Sequence, residues 1–160
     1  MFDASLDLDD FYARAAATES LIRHGLGPAA MDAAAEGAGE AIRVHHYQDR
    51  HPGTGLTSRI FAKMTARTGD SAEAEIIADK PYAAYVENGT RPHVIEAKRA
   101  QALRWEDSGG GVHFAKRVNH PGTTPRPFMG PAYIHTEQIL ERNLLMLAER
   151  ARVVLEGDSE

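Results

Sequence analysis

The chain has 160 residues, 42% hydrophobic and 26% charged, with a formal net charge of −5 and no cysteine. That size suits one domain with a core of its own. The missing thiols exclude a disulfide framework, a thiolate metal site and a cysteine nucleophile, and the acidity argues against a sequence-reading DNA binder, which carries an excess of Lys and Arg for phosphates. No apolar run approaches the roughly 20 residues of a membrane span, and the N-terminus MFDASLDLDD is acidic where a signal peptide is basic. A soluble, non-exported protein with no membrane contact is expected, consistent with a reducing cytoplasm.

Asp7 is placed to cap a first helix, with Asp9 and Asp10 in its first turn and Leu8, Phe11, Tyr12 and Ala15 on one face. Gly25, Gly27 and Pro28 are expected to end it. Pro28 then opens a second helix, with Met31, Ala35, Ala38, Ile42 and His45 on its apolar face. Gly37 and Gly39 each weaken that helix by about 1 kcal/mol relative to alanine, so its stability is expected to come from tertiary or intersubunit packing. His45, His46 and His51 near its end invite a metal reading, but adjacent helical residues do not share a face, and histidines also suit a helix C-terminus for its dipole.

The segment HPGTGLTSRI leads into alternating residues at Ile60, Ala62, Met64 and Ala66, a turn at Gly69 and Asp70, and a second alternation through Ala72, Ala74, Ile76 and Ala78, which reads as a β-hairpin. Neither Ser58 nor Ser71 lies in a nucleophile elbow, and the GTG at Gly53–Gly55 lacks the rest of any phosphate-binding motif. Tyr82, Tyr85 and Val86 have the spacing of one helical turn with an aromatic face, closed by Gly89, and Glu87 is placed to hold that turn against Thr90 and Arg91.

Beyond it the charge changes. From Glu87 to Arg126 there are seven Lys/Arg against four Asp/Glu, a local +3, which leaves −8 on the remainder. Val94 and Ile95, then Ala102–Trp105, then Val112–Val118 read as short strands, the last two joined by a flexible glycine tip at Ser108–Gly111. Such an arm is costly to order alone and makes sense gripping a neighbour. His93, His113 and His120 could converge on a metal with Glu87 as a base, and Arg91, Lys98, Arg99, Lys116 and Arg117 could contact nucleic acid; solvated or interfacial side chains are the competing reading. From Pro131 a long helix carries Tyr133, Leu140, Leu144, Leu147, Ala151 and Val154 as its apolar stripe, and the tail Gly157–Glu160 is expected to fray. The fold class read from these elements is α+β: a small antiparallel sheet packed by an N-terminal helical region and a long C-terminal helix, with an extended β-hairpin arm. The chain is read as a single domain, with an N-terminal helical extension over 1–27 and a core over 28–156 that includes the arm at 91–126.

At YAAYVENGTRPH, followed by ALRW, GGGVHFAKRVNHPGT and PRPFMGPA, the chain resembles the tail-completion, or head–tail joining, family of long-tailed phages. The likeness runs over Pro28 to Val154, and GTGLTSRI is similar to the family's Pro-x-x-Thr-Gly-x-Leu-x-x-Ser-Ile element, from which it departs by setting Gly55 directly before Leu56. Tyr82 to Thr90 and Pro127 to Ala132 are specific when found together in this order. The resemblance implies a structural virion protein of the neck rather than an enzyme, with no cofactor or metal. It implies a self-associated ring, hexameric to match tail symmetry, assembled in the host cytoplasm, with genomic DNA crossing the lumen without sequence-specific contact. Its neighbours would be a head-side connector or stopper and a tail terminator or tail tube protein; a tail-tube-capping ring is the alternative. The expected intersubunit or ring-to-ring contacts are Tyr82, Tyr85, Glu87, Gly89, Thr90, Arg91, His93, Trp105, Phe114, Lys116, Arg117, His120, Arg126 and Phe128.

Overall fold

The structure, a computed structural model, describes residues 8–45, 55–107 and 109–157. Asp7, His46, His51, Gly53, Ser108 and the tail beyond Gly157 lie outside them. The elements are α1 (Leu8–Val44), a single 3-10 turn (Thr57–Arg59), β1 (Ile60–Arg67), β2 (Ala72–Ala78), α2 (Ala83–Asn88), β3 (His93–Glu96), β4 (Leu103–Glu106), β5 (Val112–Ala115), β6 (Arg117–His120) and α3 (Met129–Glu156). The fold is α+β as expected. Two compact units divide it: Met1–Lys80 with Phe128–Glu160, and Pro81–Pro127.

In the first unit the expected break between two N-terminal helices does not occur, because α1 runs through Pro28. Proline removes the N–H that would bond the His24 carbonyl, and Nη2 of Arg67 donates to that oxygen instead, at 3.4 Å. The two glycines act as contact points rather than stops. A Cβ at Gly27 would lie 2.9 Å from Nε of Arg67, and one at Gly25 would strike the Leu147 side chain. Close approach therefore outweighs the cost of glycine in a helix interior.

α1 and α3 pack antiparallel. Gly37 faces Thr136, Asn143 lies against Ala29 and Asp32, Gly25 faces Leu147, and Arg14 reaches the last turn of α3. The contact on α1 is lined by small residues: Ala29, Ala33, Ala34, Gly37, Ala38 and Ala41 are all buried. At one end Nη1 of Arg14 donates to the Glu156 carbonyl at 2.8 Å, where a cation complements the helix dipole. At the other end buried His45 meets Phe128 edge to face, with ring centroids 5.2 Å apart.

The stripe expected on α3 is partly displaced. Ala132 and Ala151 are buried and Leu140, Leu147 and Val154 half-buried, but Tyr133 and Leu144 point outward, and the third buried position is Asn143. Its Nδ2 donates to the Ala29 carbonyl at 3.3 Å and to Oδ2 of Asp32 at 2.8 Å, which satisfies a polar group inside the helix pair. The hairpin forms as expected: β1 and β2 pair antiparallel from Ile60↔Ala78 to Arg67↔Ala72, with a bulge between Met64 and Ala66. Thr68 closes its turn through Asp70 and Ser71. Ile60 and Leu56 complete the core of this unit.

The second unit holds α2 and two nested antiparallel ladders, β3 with β6 and β4 with β5, so the described residues form three two-stranded sheets rather than one. The strand expected over Val112–Val118 is interrupted by a bend at Lys116. Between β3 and β4 lie the six residues 97–102, whereas Lys116 alone separates β5 from β6. A ladder with six residues against one cannot stay continuous, so it splits into two, joined by the Ala97 N–H donating to the Lys116 carbonyl at 3.0 Å. No described helix is long and apolar enough to cross a membrane.

Two glycines on α1 separate close contact from propensity. A Cβ at Gly37 would overlap Thr136 and Ile76, whereas one at Gly39 would meet nothing within 4 Å. Gly37→Ala is expected to destabilise by about 1–3 kcal/mol through overpacking, and Gly39→Ala to stabilise by up to about 1 kcal/mol. Urea denaturation of the two variants followed by helical circular dichroism checks the opposite signs.

Candidate interaction arm

The arm begins where α2 ends. Gly89 closes α2 as expected, with φ +68°, and Gly122 has φ +89°. Both values favour glycine. A Cβ on either would run into the opposite chain: Gly89 faces the Thr123 carbonyl and Pro125, and Gly122 faces the Thr90 carbonyl. This allows Thr90 and Thr123 to exchange both backbone hydrogen bonds, at 3.0 and 3.1 Å, with their hydroxyls 3.2 Å apart. The Arg126 N–H then donates to the Val86 carbonyl at 2.9 Å, so the returning strand is tied to α2 as well.

The next cross-strand pair is His93 with His120, whose rings stack at 5.0 Å. Nδ1–H of His93 donates to the Arg91 carbonyl at 2.8 Å, while Nδ1 of His120 accepts the Gly122 N–H at 3.0 Å. His113 belongs to the other ladder, where it stacks on Trp105 at 5.4 Å and its Nε2 lies 2.8 Å from Oδ2 of Asp107. The three histidines are thus held by separate partners. No group of three metal-ligating side chains occurs among the described residues.

Asp107 organises the tip. Its Oδ1 accepts N–H groups from Gly109 at 2.9 Å and Gly111 at 2.8 Å, its N–H donates to the Gly111 carbonyl, and its carbonyl accepts from Gly110. The segment expected to be a flexible glycine tip is therefore built, at its described residues, around one carboxylate. The hydrogen bond to His113, then those from Gly111 and Gly109, hold the Asp107 carboxyl below the usual aspartate range. The signal was available in the sequence: an aspartate just before a glycine run is a turn former, because its carboxylate accepts from nearby backbone N–H groups.

The expected contact residues fall into three groups. Gly89, Thr90, Arg91, His93, His120 and Arg126 form or flank the base of the arm. Trp105, Phe114, Lys116 and Arg117 lie along it, with Nε of Arg117 3.8 Å from Oε1 of Glu96. Tyr82, Tyr85 and Glu87 belong to the α2 turn, where Ala83 is buried, Tyr82 and Val86 are half-buried and Tyr85 is 62% exposed, so the aromatic face expected there is divided between cover and solvent. Phe128 stands apart: it is 1% exposed in the first unit, packed on His45, and anchors the start of α3. Thr123 and Asp107 are structural residues of the arm that the sequence reading passed over.

Both sides of the ribbon are uncovered. Val94 and Val112 are each 44% exposed, Trp105 40% and Phe114 67%. Strand register puts Phe114 opposite Arg104, and Trp105 opposite His113 on the other face. Such a ribbon offers apolar anchors beside exposed charges, among them the pairs Arg104–Glu106 and Arg117–Glu96. No protein-family model, curated protein or solved structure matches the chain.

The depressed Asp107 pKa fixes the sign of a pH response. A group whose folded pKa lies below its unfolded value contributes order above the unfolded pKa and loses it as pH falls through the folded one. The Gly109 and Gly111 amide proton shifts are expected to hold through the usual aspartate range and to collapse together only below it. An NMR pH titration checks this, with Asp107→Asn removing the low-pH transition.

Proposed function

We propose that this chain is a structural assembly protein of the neck of a long-tailed phage, a self-associating ring component that joins the head connector to the tail. The observation that carries the reading is the arm. Its two ends, Tyr82 to Thr90 and Pro127 to Ala132, are the segments of resemblance, and between them lies a fastened ribbon with Val94, Trp105, Val112 and Phe114 at least 40% exposed. A monomer gains little from ordering an uncovered ribbon, whereas a ring uses it to bridge subunits.

The charge distribution is compatible with the role. A local +3 from Glu87 to Arg126 against −8 elsewhere places attraction between an arm and a neighbouring body. An acidic remainder also avoids holding a passing duplex through phosphate contacts. In this reading the ring is a hexamer, stacked between a head-side connector or stopper and a tail terminator or tail tube protein, and located in the virion.

Replacing Ala97–Lys116 by an Asn-Gly turn removes the β4–β5 ladder and keeps β3 paired with β6, which the Thr90–Thr123 bridge supports. The shortened chain is expected to keep its helical circular dichroism, with a melting midpoint within about 4 °C of the parent, and to fail to join purified heads to tails in an extract lacking the natural protein. Full joining activity from the shortened chain contradicts the proposal.

A further inference from the structure

Outside the arm, α3 carries an uncovered apolar stripe. Tyr133, Ile134, Leu144 and Leu145 are 68%, 58%, 39% and 64% exposed, and Glu137 and Glu141 lie between them at helical spacing, so the six make one exposed stripe. Among the described residues neither glutamate has an ion-pair partner, and nor has Lys116 on the arm. Phe114 and Tyr133, at 67% and 68%, are the two most exposed large apolar residues described.

We propose that the α3 stripe is the receptor for the arm of a second copy of this chain, with Phe114 seated among Tyr133, Leu144 and Leu145 and with Lys116 and Arg104 against Glu137 and Glu141. Charge complementarity selects this occupant. Two α3 stripes facing each other would set Glu137 and Glu141 against their own copies, a like-charge contact, whereas the arm brings cations on both sides of Phe114. Arg104 stands across the ladder from Phe114, in an exposed pair with Glu106 at 3.1 Å that it would exchange for the stripe, and Lys116, which has no ion-pair partner among the described residues, follows two residues along the chain. Arm and stripe are different surfaces, so the contact is head-to-tail and repeats from copy to copy, closing into a ring when the rotation allows. The inference deepens the ring reading and rests on it only for the presence of repeated copies.

The chain has no cysteine, so single thiols can be placed freely. Val112→Cys and Gln138→Cys chains, both at exposed positions beside the contact rather than in it and checked for helical circular dichroism, are mixed in equal amounts at about 0.1 mM and linked with a short bismaleimide. The expected product is the mixed dimer, in which the arm thiol of one chain is linked to the stripe thiol of the other, exceeding the two same-site dimers together. Its yield is expected to fall about tenfold on adding Glu137→Arg and Glu141→Arg to the Gln138→Cys chain, and to fall on raising salt from about 0.05 to about 0.5 M. A dominant dimer of two Gln138→Cys chains assigns the stripe to a second stripe and overturns the proposal. So does no mixed product, or a link formed only within a chain carrying both substitutions, which assigns the stripe to its own arm. The assay uses the purified chain alone, so its failure leaves the head–tail joining result standing, and the reverse also holds.

Discussion

The close antiparallel contact of α1 with α3 is the constraint on which the rest of the first unit depends. Helices approach this closely only where side chains are small, and here the seam is made by Ala33, Ala34, Gly37 and Ala41 on α1 and by Ala132 and Ala151 on α3. Asn143 sits in the middle of it with both bonds made to α1, an arrangement that sets register, since a slip of one turn would strand a buried amide. Filling the seam with small residues has a further consequence. The large apolar side chains of both helices are left outside it, including Phe11, Tyr12, Tyr133 and Leu145. An interior of alanines buries modest apolar area per residue, so the outward residues represent stabilisation available only from another surface.

The arm follows a different logic. It has almost no interior, and its order comes from local devices: two glycines at positive φ that let Thr90 and Thr123 pair, stacked rings at His93–His120 and Trp105–His113, and the Asp107 carboxylate at the tip. Each device uses histidines, threonines or aspartate in roles that resemble chemistry on paper and are structural in space. The Nδ1 atoms of His93 and His120 are both committed to backbone groups, and His113 is turned to a carboxylate in the other ladder. What remains outward is a set of apolar side chains among exposed charges of both signs, which suits a surface that binds a protein.

Local pattern carried much of this. The period-two alternation over Ile60–Ala78, the turn at Gly69 and Asp70, the Gly89 cap and the long C-terminal helix were legible because each depends on neighbours in the chain. The errors have one cause. Gly25, Gly27 and Pro28 read as a break because propensity alone says so, whereas Leu147 and Arg67, distant in sequence, make glycine useful there and compensate the proline. Likewise Tyr133 and Leu144 read as core by hydrophobicity, yet both are exposed and the buried neighbour is Asn143; only the identity of the facing helix, with Ala29 and Asp32 opposite, accounts for this. In the arm, the strand expected over Val112–Val118 split at Lys116 because its partner side carries six extra residues, which periodicity within one strand cannot reveal. The base and length of the arm were legible, and the Asp107 tip was available but unread.

In the proposed neck role the arm is an assembly surface rather than part of a finished monomer. Hydrogen exchange of the free chain and of the chain within purified particles tests it most directly, because backbone protection reports covered edges and local order. The account predicts that peptides spanning Arg91–Arg126 exchange quickly in the free chain and become protected together in the particle, while the buried seam of α1 and α3 is protected in both. Equal exchange of the arm in the two states would contradict it.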